Sequence, residues 1–387
     1  MTFMKRVGRI NVHAAVAAII CFSGSTGAQA ASAADSILFA GVAFLDAPDR
    51  FPVARALIEN IDRSGVPLNR VVLEALRRAN IPIRLSLENS LRATALAFAF
   101  DDEYSIVERY GGSALKITTG ISAQLLSIDF DGQVVKSAFP FLYEYVDVVE
   151  EEPGSDYAKQ VASVMAPAFL DTTRAGVFQE LIEMMQSLPS IDARCTARIM
   201  AIHPDTGTWS AARTRFGADS ARMIRQLGAV LSRQLTTTAR FPLLPMGDSR
   251  ARAAMQARFA NGEIYRLAIP TPDYDLIIDD FRTRRATVGR SASRRVDATG
   301  IQYALRVKAL DSPVAAGEFR FVMLDTIPAN KATSDPWGDV VSATKILTAR
   351  IGTNTLRREK KWYDENELTK TAFPALPDWL LSKCVRQ

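Results

Sequence analysis

The order of apolar and polar positions divides the chain into two stretches, each mixing strands with helices. Residues 37–45 (ILFAGVAFL) form a continuous apolar run closed by Asp46 and Pro48, the pattern of a buried strand. Residues 68–79 place Leu68, Val71, Val72, Ala75 and Leu76 at helical spacing. Strand-like runs follow at 91–100, 114–120, 122–130 and 134–145, with Asp131-Gly132 as a hairpin turn between the last two. Residues 155–188 return to helix, with a break expected near Gly176. The acidic run Glu150-Glu151-Glu152 before Pro153-Gly154 marks its start, as a solvated turn or a docking patch.

The second stretch is more sharply punctuated. Residues 195–203 (CTARIMAIH) predict a strand, and Asp205-Thr206-Gly207 a turn. Residues 220–235 predict an amphipathic helix with Met223, Leu227, Val230 and Leu231 on one face and Ser220 as its cap. Residues 241–245 (FPLLP) read as a short strand that Pro242 confines to an edge or strand end. Residues 248–261 read as a second helix, capped by Asp248 and stopped by Gly262. Strands are expected at 274–288, 302–310 and 319–324, and a closing helix at 335–350. The order is β-α-β-α-β-β-β-α. The fold class is therefore α/β (α+β): two domains, 35–190 and 195–350, each a mixed sheet packed with helices, then a tail, 351–387.

Residues 1–33 stand apart as an expected signal peptide. Lys5, Arg6 and Arg9 precede an apolar core of about ten residues, too short to span a bilayer. Cleavage sites of A-x-A type end at Ala30 and Ala33. Cys21 is a poor acylation site, because bulky Ile20 stands where a small residue is needed. This changes the charge picture. The whole chain carries a formal net charge of +5, with 47 Lys and Arg against 42 Asp and Glu. Loss of the three leader cations leaves a net charge near +2, so a nucleic-acid partner is not expected. The expected location is the periplasm of a Gram-negative bacterium. Cys195 and Cys384 then meet oxidising conditions, and form either a disulfide or two separate thiols. No further transmembrane helix is expected after the leader.

The second stretch resembles the α/β domain shared by the curli-secretion lipoprotein CsgG, the N-terminal domain of TolB and the lipoprotein activators of peptidoglycan synthases. The resemblance covers roughly residues 195–350. It rests on a helix leading into Arg240-Phe241-Pro242-Leu243-Leu244, a next helix leading into Phe259-Ala260-Asn261-Gly262-Glu263, and Pro272-Asp273-Tyr274-Asp275-Leu276 opening a long strand. A paired strand, 303–310, ends at Asp311. The acylated cysteine of those lipoproteins is missing. The resemblance implies a non-catalytic periplasmic module that docks onto other envelope proteins, and it carries over no catalytic residues.

Candidate chemistry is thin. Without the leader, His203 is the sole histidine, so a zinc site of His and Cys ligands is not expected. No Gly-x-Ser-x-Gly elbow, Walker loop or dinucleotide fingerprint occurs. Ser113-Ala114-Leu115-Lys116 and Ser342-Ala343-Thr344-Lys345 have acyl-enzyme spacing, but neither is followed by the elements that complete such a site. Asp101-Asp102, and Asp279-Asp280 beside Asp273 and Asp275, offer carboxylates. Adjacent strand residues point to opposite faces, so each pair supplies one carboxylate per face. Asp101-Asp102-Glu103 is a modest calcium candidate.

No catalytic residue, cofactor or metal is therefore assigned. The candidate interaction patch is Arg282, Arg284, Arg285, Arg290, Arg294 and Arg295, with Arg282 and Arg284 on one strand face. The functional reading is a periplasmic adaptor docking onto an envelope assembly. Its partners would be other envelope proteins, the inner face of the outer membrane or cell-wall glycan. The alternatives are a Ser/Lys hydrolase of cell-wall material, or a carrier whose apolar ligand lies along 97–100 and 139–142.

Overall fold

The computed structural model describes residues 37–78, 83–84, 94–109, 114–129, 131–150, 154–171, 176–187, 195–217, 219–246, 254–259, 264–309, 312–328, 336–368 and 372–379. The expected leader, Ser113 and Cys384 lie outside the described residues.

The chain is α/β, with two mixed sheets packed by helices. The first sheet begins with β1 (Ile37–Phe44), which pairs in parallel with the short β2 (Ile83–Arg84) and with β3 (Thr94–Arg109). β3, β4 (Leu115–Asp129) and β5 (Val134–Val149) form an antiparallel meander. The expected turn at Asp131-Gly132 joins the last two. The runs at 114–120 and 122–130 are one continuous strand, because Ile121 continues the alternation between them.

Two strands from much later in the chain complete this sheet. β7 (Ala254–Phe259) and β8 (Ile264–Ala268) pair with each other; β8 adjoins β5, and β7 pairs back onto β1. Strands β1, β3, β4, β5, β8 and β7 thus close into a ring. The helix expected over 248–261 is therefore corrected: residues 254–259 are strand. Arg258 and Ala257 find backbone partners in β8, and this pairing overrides the helix propensity of an Ala- and Arg-rich segment.

The sequence TALAFAF at 94–100 shows how the two faces of this sheet are built. Leu96, Phe98 and Phe100 enter one core with α1 (Pro52–Arg63), α2 (Leu68–Arg78), α3 (Tyr157–Leu170) and α4 (Gln179–Ser187). That core holds edge-on and stacked contacts among Phe98, Phe141, Phe169 and Phe178. Ala97 and Ala99 point the other way, into the ring, beside Ala43, Leu126, Ala138, Ala257 and Leu267. Small residues are needed there because a closed ring of few strands leaves little interior width. Ala97, Phe98, Ala99, Phe100 and Phe139 are fully packed core, whereas Pro140 and Leu142, from the second segment expected to line an apolar carrier site, are half-buried.

The second sheet has the order β11-β10-β9-β6. β6 (Ala197–Pro204) runs parallel to β9 (Tyr274–Arg290), which forms long antiparallel ladders with β10 (Arg294–Ala309) and, through it, β11 (Ser312–Pro328). Three helices pack on it: α5 (Thr206–Phe216), α6 (Ser220–Ala239) and α7 (Pro336–Arg357). The short α8 (Lys360–Asn366) and α9 (Ala372–Trp379) lie against β11. Asp205, expected in a turn, caps α5 by accepting from the Thr208 amide at 2.7 Å, and Asp219 rather than Ser220 caps α6. Trp337 is buried in this core and donates to Gln226 at 2.6 Å; Trp362 and Tyr363 pack on Phe319.

The FPLLP segment stitches the sheets together. Leu243 accepts from the Ala138 amide of β5 at 2.9 Å, and Leu244 donates to the Ala197 carbonyl of β6 at 2.7 Å. Pro242 and Pro245 bring no N–H, which is why the expected strand is reduced to isolated bridges.

Candidate functional site

The acidic triplet that interrupts β3 is the centre of the site. Phe100 pairs with Ala123 and Asp102 with Ser122, leaving Asp101 as the extra residue of a β-bulge. The bulge overturns the expectation that neighbouring acids face opposite ways. Asp101, Asp102 and Glu103 all border one cavity of about 280 Å³. Its other walls come from the end of β1 (Leu45, Asp46), the start of α1 (Arg50, Phe51), β5 (Ala138, Pro140), one face of α6 (Arg222, Arg225, Ala229, Ser232) and the stitch (Leu243 to Met246).

Each acid is held differently. Glu103 caps α1, accepting from the Val53 amide at 3.0 Å and the Ala54 amide at 2.9 Å. Burial pushes its carboxyl above the usual range, against the opposing pull of those amides. Arg222 donates to the Glu103 carbonyl at 2.9 Å and so ties the first turn of α6 to the bulge. Burial also raises Asp102, while Arg222, Arg225 and Arg50 draw it down.

Asp101 is the most perturbed. Burial pushes its carboxyl up to about 6, and hydrogen bonds from Ser122 and Gln124 only partly oppose this. Gln124 donates from Nε2 to Asp101 Oδ2 at 2.6 Å. Asp101 Oδ1 and Gln124 Oε1 are buried and have no hydrogen-bond partner. Asp101 and Gln124 thus form an acid–amide pair with two unmet acceptors, and a proton on the raised carboxyl would supply one donor.

The other candidates are not assembled into a reactive centre. Lys345 donates to Glu144 at 3.1 Å rather than activating Ser342, which is exposed. Glu144 also accepts from the Tyr104 hydroxyl, and these partners outweigh burial to hold its carboxyl below the ordinary range. His203 is 61% exposed and bonds Asp279, which is shared with Arg306 at 3.1 Å. Asp280 is a second bulge residue, with a positive φ of 50°, and pairs with Arg282 at 3.3 Å. Asp273 accepts from the Thr196 amide at 2.7 Å, fastening β9 to β6. Among the described residues no group of three or more His, Cys, Asp and Glu side chains is placed to hold a metal ion.

The arginine patch is divided between two faces. Arg285 turns inward, to Asp297 at 3.1 Å and Asp339 at 3.0 Å, and Arg295 joins Asp297 at 3.1 Å. Arg282 and Arg284 lie on the outer face, and Arg284 reaches Asp205 at 3.0 Å. Arg290 and Arg294 flank the β9–β10 turn. The ladders place Ala286, Ala298 and Leu324 in one row of this outer face, and Arg284, Gly300 and Val322 in the next. Val322 and Leu324 are 58% and 65% exposed. β6 stops opposite Phe281, so beyond that point the sheet is a three-stranded arm. Cys195 is buried just before β6.

Sequence reasoning missed the cavity. The available signal was three consecutive acids directly after an unbroken apolar stretch of strand, a place where a strand must either end or bulge.

No helix among the described residues is long and apolar enough to cross a membrane. No protein-family model matches the chain, and no curated protein matches it. Among solved structures it is similar to a minor lipoprotein from Acinetobacter baumannii, at 10% identity and a TM-score of 0.21, over 45% of this chain and 94% of that one. A score that low transfers neither fold nor function.

Proposed function

We propose that this chain is a non-catalytic accessory protein of the bacterial cell envelope, working in the periplasm by docking onto a larger assembly. The observation that carries the reading is the β9–β10–β11 arm. Its outer face combines a flat centre of Ala286, Ala298 and Gly300 with exposed Val322 and Leu324. Arg282, Arg284 and Arg320 stand on the same face, and Arg290 and Arg294 at its tip. A small-residue platform lets a partner approach closely, exposed aliphatics reward its burial, and the cations favour an acidic protein surface.

Photo-crosslinking through a reactive side chain placed at Val322 in the full chain, in intact envelopes, tests this. The expected result is one discrete adduct with another envelope protein, weakened by Arg282→Glu with Arg320→Glu and absent when the crosslinker is moved to exposed Glu365. An adduct with a second copy of the chain, with lipid alone, or at both positions alike overturns it.

A further inference from the structure

β11 is the outermost strand of the second sheet, and the chain covers that edge only in part. Glu367 bridges Phe319 in antiparallel sense, and the Leu368 amide donates to the Glu318 carbonyl at 2.8 Å. The edge therefore already takes an extended segment. From Arg320 to Thr326 it has no backbone partner on that side among the described residues. Alternate residues of a strand point their backbone groups the same way, so Arg320, Val322, Leu324 and Thr326 turn their N–H and C=O groups outward, as Glu318 does. Such edges are ordinarily guarded by a charge, a proline or a bulge. None of these stands between Phe321 and Leu324, and the ladder to β10 is regular there. The strand is also held ready for a partner. Phe321 and Met323 pack against the core from the inner face, and the Arg350 guanidinium lies 4.7 Å from the centre of the Phe321 ring.

We propose that this edge receives an extended segment of a partner protein as an added antiparallel strand, a reading that rests on the arm being the docking surface. On the outer face the incoming side chains stand opposite Leu324, Val322 and Arg320 in turn. The segment that fits them carries two aliphatic residues and then a carboxylate, at every second position. The aliphatics cover Leu324 and Val322, which are 65% and 58% exposed, and the carboxylate meets Arg320. Two copies of this chain paired about Val322 or Met323 would instead set Arg320 against Leu324 or Thr326, without an acid.

Fluorescence anisotropy of a labelled heptapeptide, Thr-Lys-Val-Thr-Val-Thr-Glu, with the purified full chain tests this; its lysine is set opposite Asp325. Saturable binding is expected, with a Kd of about 1 mM or tighter. N-methylation of its two valines keeps every side chain and removes two N–H groups that face β11, so it should weaken binding at least about tenfold. Val322→Pro should do the same, because it removes an outward N–H and proline is tolerated on an edge strand. Arg320→Glu should weaken binding about threefold or more and favour the peptide that ends in lysine instead. Circular dichroism establishes that each variant is folded, and the N-methylated peptide decides the matter if Val322→Pro is not. Failure of the peptide to bind, equal binding of its N-methylated form, indifference to Arg320→Glu, or a dimer of the chain that Val322→Pro dissolves overturns strand addition. A silent peptide beside an intact envelope adduct at Val322 removes strand addition and leaves docking through the face standing.

Discussion

Replacing Asp101 with asparagine should stabilise the protein at neutral pH and leave it nearly unchanged in acid. The new amide can donate from its Nδ2 to Gln124 Oε1 and accept from Gln124 Nε2, so it completes the acid–amide pair without a proton. The size of the effect follows from linkage. The Asp101 carboxyl moves from an ordinary 3.8 to about 6 in the fold. Between those values the folded chain holds a proton that the unfolded chain has released, so stability falls as pH rises through the window and stays reduced above it. The difference corresponds to about 3 kcal/mol, an upper figure because the surroundings relax around a buried charge. The Asp101→Asn variant escapes that loss. Urea unfolding of both proteins at pH 4 and at pH 7.5 reads it as a gap in midpoint that opens with pH, on the order of 1 M at the higher value. Asp102 and Glu103 are common to both proteins and largely cancel in the comparison. A variant less stable than the wild type at pH 7.5, or a gap that does not depend on pH, would refute the reasoning.

Further outcomes are open to direct measurement. A Cβ on Gly120 would stand 2.2 Å from the Tyr104 ring across the β3–β4 ladder, so Gly120→Ala should lower stability by about 1–3 kcal/mol in thermal unfolding. Arg285→Ala removes a cation shared by Asp297 and Asp339; burial opposes ionisation of Asp297, but Thr287, Arg295 and Arg285 hold its carboxyl below the ordinary range. Hydrogen exchange should accelerate in the arm beyond Phe281 while β3 and β4 keep their protection. If Cys195 and Cys384 are bonded, thiol titration of the unreduced, denatured chain lacking residues 1–33 finds neither. Reduction should then cost up to about 4–5 kcal/mol of stability, for a loop of that length.

How far the sequence speaks depends on whether an element is decided locally. The apolar run of β1, the helical spacing of α2 and the break near Gly176 between α3 and α4 are local facts, and the strands and helices form where those patterns lie. The FPLLP segment departs from its expected strand because its two partners, Ala138 and Ala197, are distant in sequence and its prolines forbid a ladder. Residues 254–259 depart from their expected helix for the converse reason. Ala, Gln and Arg favour helix by themselves, and only the open edges of β1 and β8 make them strand. The arginines could be counted from sequence. Which of them turn inward could not, because the answer depends on Asp297 and Asp339 arriving from other elements. The Asp101 cavity was hidden by a single residue of register: the alternation rule that assigns opposite faces fails at a bulge, and nothing nearer than Ser122 and Ala123 reveals that the bulge is there.

Ring closure has a kinetic meaning. β2 covers the second edge of β1 at Ile37 and Leu38, but at its end Ala43 and Phe44 wait for β7, more than two hundred residues downstream. A nascent chain that ends before residue 254 presents β1 and β5 with unpaired backbone at the seam, and such edges recruit other strands. Contacts of so long a span also slow folding. The polypeptide must therefore be kept from premature collapse until β7 and β8 have emerged, and severing it after α4 should yield a fragment that aggregates rather than a smaller working module.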